Sequence, residues 1–402
     1  MSVRVRTIDA WWPGIGDQSW ISDCIGACQF ARECLLRWPF QTDLPAMALA
    51  LHRPVLFSSS PDLAWSWLPP FAAVLAYPHL LAAFYQHFNA QDGSPVLAVL
   101  AMASAFAVTA LGFAFAWRLG HAPHPTARSL TARRFAYLTV AAPPLFTFMG
   151  VLLYLMKIEG ADAAVWTGLW TAAAAWVAML QLTRRSDGDA VDEAAAPAGM
   201  QATRALAALR VTHGISAAAL IVVFLAPHLF NHLVAWLGDQ AHQSLMLQLR
   251  KLYRHAWVEP AMLLAMAFQL LSGLALWLPK TRRKANLFDV LQLASGIYLT
   301  FFIASHVNSV FVLARHFGVD TNWAWAVSAP AGLTGDAWSV RLIPHYAIAV
   351  FMLLGHLACG LRFVLLGHGV SDARAGRWAW IALAGAAIVA IAISAAMLGA
   401  RL

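Results

Sequence analysis

The chain has 402 residues, of which 60% are hydrophobic and 11% charged, and its mean hydropathy is +0.64. That balance excludes a soluble domain of this length and points to an all-α, polytopic membrane helix bundle. The formal net charge of +8 does not argue for a nucleic-acid partner, because the basic residues fall in short loops between apolar spans, where they act as topology signals.

Residues 1–66 read as a mixed cytoplasmic or interfacial tail, with turn formers at Pro13, Gly14 and Gly16 and an amphipathic stretch near Cys24–Leu36 suited to a membrane surface. The tail lacks the pattern of a secretory signal peptide, and an overlong start assignment is a competing explanation for it. Cys24, Cys28 and Cys34 lie there without a CxxC pair or a zinc-like partner motif, and Cys359 lies in a span. Nine apolar segments follow, near 68–88, 95–117, 135–156, 163–183, 208–236, 258–279, 290–314, 342–366 and 378–399. Each is close to the ~20 residues needed to cross a bilayer. Trp65, Trp67, Trp323 and Trp325 fit interfacial belts.

The polar, acidic stretch Ser186–Gln201 opens a linker over 186–207. It divides the spans into a four-helix unit (67–185) and a five-helix unit (208–402). Of the 27 Lys and Arg, 20 fall in the tail and alternate loops on one side and 7 on the other. This predicts a cytoplasmic N-terminus and an outer C-terminus, and it supports an odd span count. The excess of Arg over Lys and the abundant Ala fit a high-GC bacterial source, hence an inner membrane.

Three histidines sit deep in apolar spans: His228, His306 and His356. An ionisable group there is costly and generally faces a partner or cofactor, and neutral imidazole is a common axial ligand of haem iron. Counted from the span ends, His228 and His306 share an outer level, while Gln269 and His356 share an inner one. An internal repeat of about eighty residues supports this. His213-Gly214-Ile215 precedes His228 as Ser295-Gly296-Ile297 precedes His306, and Gln269-x3-Gly273-Leu274 matches His356-x3-Gly360-Leu361. A glycine one turn from the His or Gln would let a flat macrocycle approach the backbone. The plainer reading is glycine-mediated helix packing.

On these residues, 208–399 resembles the five-helix cytochrome b membrane anchors of succinate dehydrogenases and fumarate reductases. The stretch Gln292–His306 is similar to the family's fourth helix, His356-Leu-Ala-Cys-Gly360-Leu361 to its fifth, and Pro227-His228 to its first-helix ligand. The resemblance implies a haem b held by His228 and His306, electron transfer within the membrane, a quinone, and a soluble redox subunit or mobile carrier as partner. The family's second-helix ligand is His where this chain has Gln269, which leaves the inner haem open. His356 would then hydrogen-bond Gln269 or meet His213, and His232 is an alternative to His228.

Two other classes compete. One is a haem-free membrane protein of the same fold with a structural or lipid-homeostasis role. In that case Asn231 and Asn308 would hydrogen-bond the outer histidines. The other is a transporter, which the lack of carboxylates well inside spans five to nine disfavours. His213, His255 and His345 read as interfacial, and His121, His124 and His368 as solvated. His79 and His87 lie two turns apart on span one, which Pro78 kinks, and form a candidate pair for a second site. The role of spans one to four, the redox partner and any quinone-pocket residue have no signal in the sequence.

Overall fold

The computed structural model describes residues 65–121, 126–183 and 200–402, for 200–203 the backbone alone. The expectations about Cys24, Cys28, Cys34, His124, the amphipathic stretch and most of the acidic linker lie outside the described residues. Among the described residues there is no strand. Eight helices are long and apolar enough to cross a membrane, and a bent pair counted as one makes a ninth. The protein is an all-α polytopic bundle.

Spans one and two are α1, Leu68–Asn89, and α2, Pro95–Gly120. The second starts where Ser94 accepts from the Leu97 amide (3.4 Å) and Pro95 takes the first helical position, where a missing N–H costs nothing.

Span three departs from a single straight helix. It breaks into α3, Ala127–Val140, and α4, Ala142–Leu155, bent by 64°. Pro143 and Pro144 supply no amide for the carbonyls of Thr139 and Val140, so the helix cannot continue. The Thr109 hydroxyl of α2 donates to the Val140 carbonyl (3.2 Å) and satisfies it inside the bundle. Gly112 lets α2 come this close: a Cβ there would lie 2.6 Å from Thr139 Oγ1 and 3.0 Å from the Val140 nitrogen.

Span four is α5, Asp162–Thr183. Its buried Trp166 and Trp170 pack edge-on against Phe146 and Phe135. Span five opens with α6, Met200–Leu220, passes through a π-helical turn at Ile221–Leu225, and closes with α7, Ala226–Val234. The amphipathic helix α8, Asp239–Tyr253, then lies between spans. Span six is α9, Val258–Lys280, and span seven is α10, Leu287–Asn308, running into a second π-helical segment at Ser309–His316. Helix α10 begins with a capping box, Asn286 accepting from the Asp289 amide while Asp289 accepts from Asn286. Two short turns, α11 (Trp323–Ala326) and α12 (Gly332–Gly335), precede α13, Leu342–Gly367, and α14, Asp372–Met397, as spans eight and nine.

The two groups of spans share a core. Tyr137 and Val140 of α3 pack in one buried cluster with Leu293, Tyr298 and Met352 of α10 and α13. Arg341, just before α13, pairs with Asp162 of α5 at 2.6 Å, over the face of Phe146. By contrast, spans five and six are thinly buried: no residue of 204–220 is buried, and Ser272 alone is in α9. Trp67 and Trp323, expected in interfacial belts, are core residues at 3% and 2% exposure.

Candidate functional site

Four helices, α6, α9, α10 and α13, carry the inner histidines and their partners. His213 sits on α6, well inside a helix that begins at Met200 rather than near 208. Its Nδ1 lies 2.7 Å from Ser272 Oγ, and its Cε1 is 3.6 Å from where a Cβ on Gly273 would stand. His356 on α13 repeats the arrangement. Its Nδ1 lies 3.0 Å from Ser295 Oγ, and its Cε1 is 3.6 Å from the corresponding position on Gly296. Each imidazole therefore rests in a Ser-Gly notch of the neighbouring helix.

The proton positions follow from the serines. Ser272 donates to the Phe268 carbonyl at 2.5 Å and Ser295 to the Leu291 carbonyl at 2.6 Å. With the hydroxyl protons committed, each Oγ accepts from the imidazole, so Nδ1 carries the hydrogen and Nε2 keeps its lone pair. This is the tautomer a metal-ligating histidine takes when its outer nitrogen is anchored.

Gln269 is not opposite His356 as a ligand. Its amide donates to the His213 carbonyl at 2.8 Å. Relative to the repeat in the sequence, His and Ser have exchanged helices: His213 stands where Ser295 stands, and Gln269 where His356 stands. Gly273 and Gly296 are filled by the histidine rings, whereas Gly360 faces open space with nothing within 4 Å.

The outer level gathers more histidines than expected. His228 stacks on Phe224 (centroids 4.9 Å) and His306 on Phe302 (5.5 Å), each four residues earlier on its own helix. The two imidazoles stand 6.1 Å apart, centroid to centroid. Metal–nitrogen bonds of about 2.0 Å on either side of one ion would place two ring centres roughly 6 Å apart, so the spacing fits a shared axial position. One contact competes: His228 Nε2 lies 3.3 Å from His232 Nε2. Among the described residues no group of three or more His, Cys, Asp or Glu converges to hold a metal ion.

The fifteen residues from His213 to His228 exceed the about 14.4 of four α-helical turns. A π-helical turn, Ile221–Leu225, lies between them and takes up the surplus. No hydrogen bond joins Asn231 or Asn308 to His228 or His306 among the described residues. Asn231 bonds His242 of α8 at 3.1 Å, and Asn308 Nδ2 is buried without a partner. His242 also packs on Trp323 (4.6 Å). Burial, the largest influence, pushes its imidazole down to about 4; the Asp239 carboxylate opposes the fall and Arg250 adds to it.

His345, read as interfacial, is buried at 2% exposure against Phe302 and Tyr346, and its carbonyl accepts from Tyr298 at 2.9 Å. His79 points outward, away from any site. Glu259 does lie in the first turn of α9, where the helix dipole favours an anion, and it also pairs with Arg315. No protein-family model matches the chain, and no curated protein or solved structure matches it either.

Proposed function

We propose that the protein is an integral membrane cytochrome of the b type, holding haem between His213 and His356 at the inner level and between His228 and His306 at the outer level. The observation that carries this reading is the matched anchoring of His213 and His356. Two imidazoles on different helices have Nδ1–H fixed by a serine and Nε2 left as a lone-pair donor. The thin burial of spans five and six, and the open space at Gly360, leave room in the same part of the bundle. Haem would supply one-electron chemistry, while the protein supplies axial nitrogens and a dry shell that sets their basicity.

The resemblance to succinate dehydrogenase and fumarate reductase anchors supports a role in electron transfer across or along the membrane. A quinone, or a soluble subunit at the basic end, would be the partner. A cytoplasmic basic face and an outer C-terminus complete the reading. A single variant tests it. His356→Ala should remove the inner haem and leave an outer b-type spectrum, whereas unchanged absorbance and haem content would reject the inner assignment.

The His228–His232 contact favours a second reading for the outer level alone, a haem-free lock of imidazole hydrogen bonds. His232→Phe separates the two. Haem ligation by His228 survives that change, but a structural lock does not.

A further inference from the structure

Helix α8 touches span five at points before and after His228. Near its start, His242 meets Asn231, three residues after His228, at 3.1 Å. At its end, the Tyr253 hydroxyl donates to the carbonyl of Phe224, four residues before His228, at 3.2 Å. Between these points Arg250 fastens α8 to the loop before α11, through Asp320 (3.2 Å) and the Thr321 carbonyl (3.1 Å). Burial pushes the Tyr253 hydroxyl up to about 12, so it keeps its proton, and stays a donor, at neutral pH.

The acceptor of that bond lies in the π-helical turn Ile221–Leu225, where the Ala226 amide reaches back five residues to the Ile221 carbonyl. Pro227, next along, has no amide to give. The turn is therefore short of donors from its own helix, and at membrane depth a carbonyl left over must find one elsewhere. Tyr253 supplies a donor from a different helix. The rings continue the contact. The Tyr253 ring stands edge-on to Phe224 (centroids 4.9 Å apart, planes at 66°), and Phe224 lies almost flat against the His228 imidazole (4.9 Å, 18°). One residue of α8 thus holds both a backbone carbonyl of the turn and the ring on which His228 rests.

We infer that Tyr253 is a positioning residue for His228: it pins the π-helical turn and Phe224, and so sets how the imidazole is presented toward His306. Its bearing on an iron ligand rests on the outer haem proposed above; its bearing on the imidazole does not.

The test uses the full chain in detergent. Tyr253→Phe removes the hydroxyl and keeps the ring. In haem-free protein carrying isotopically labelled histidine, the nitrogen NMR signal of His228, identified by its loss in His228→Gln, should shift. In a His213→Ala background, which leaves the outer haem alone, the highest g-value of the oxidised haem follows the angle between its two imidazole planes. It should shift too, with haem content unchanged. Thr109→Val deletes another side-chain donor to a span carbonyl, that of Val140, and should move neither signal. An unmoved His228 signal in Tyr253→Phe would overturn the inference, and so would an equal shift in Thr109→Val. A shifted His228 signal beside an unmoved g-value, or in a protein that takes up no haem, would uphold the role of Tyr253 and reject His228 as an iron ligand.

Discussion

A serine hydroxyl decides which nitrogen of a histidine is free. Ser272 and Ser295 each spend their proton on a carbonyl of their own helix, and that turns His213 and His356 into Nε2 donors. Outer partners of this kind are worth roughly 10–100-fold in metal affinity. Ser295→Ala should therefore loosen haem at the inner level by about that factor, measured by haem transfer to an apo-acceptor, while Ser295→Thr restores it. A second residue-scale prediction concerns His242, whose imidazole is held at about 4 against an ordinary value near 6.5. The folded state binds fewer protons than the unfolded one between those values, so stability falls as pH drops from about 6.5 toward 4, by up to about 3 kcal/mol. His242→Gln should flatten that part of the pH profile of thermal unfolding, and an unchanged profile would count against it. Gly150 is constrained by a neighbour: a Cβ there would lie 2.1 Å from Arg341 Nη1 and 2.8 Å from Asp162 Oδ1. Gly150→Ala must displace the ends of both side chains and should weaken that pair, read as a lower midpoint of thermal unfolding. His228, His306 and His356 were legible in the sequence because apolar runs make a lone histidine conspicuous. His213 was legible only as an alternative partner of His356, since hydropathy placed the start of its span near 208 and left it at an interface. The helix begins at Met200, which carries His213 about 20 Å along the axis.

Elements show where local chemistry overrides composition. Apolar content runs on through 135–156, so the sequence reads one span, and the Pro143-Pro144 step inside it is where the backbone gives way. The bend survives in the bundle because Thr109 takes over the orphaned Val140 carbonyl. Thr109→Val keeps the shape and removes the donor, so it should destabilise the protein by about 1–3 kcal/mol; Thr109→Ser should be milder. Equal stability of Thr109→Val and the wild type would mean that another donor satisfies that carbonyl. The π-helical turn before His228 has the same character. It depends on how Pro227 and the packing of span five settle the extra residue, which hydrophobic periodicity alone does not encode.

For the molecule as a whole, hydropathy was enough for the all-α class and for eight to nine candidate spans among the described residues, because a bilayer demands length and apolarity before anything else. The pairing between spans was not legible. The sequence repeat sets Gln269 opposite His356, and the fold instead uses Gln269 to hold the His213 backbone. The core shared by α3, α10 and α13 likewise joins spans that the acidic linker separates along the chain. Nine spans, with the bent pair counted as one, would put the termini on opposite sides. Cysteines introduced at Ser2 and at Leu402 in a Cys-free background should therefore react with an impermeant maleimide from opposite faces of the membrane. The two proposed bis-histidine haem sites are tested most directly by haem content per chain, from a pyridine haemochrome assay on protein purified after expression with ample haem. Two haem b are expected in the wild type and one in His213→Ala; a wild-type protein that is folded and free of haem would contradict both sites.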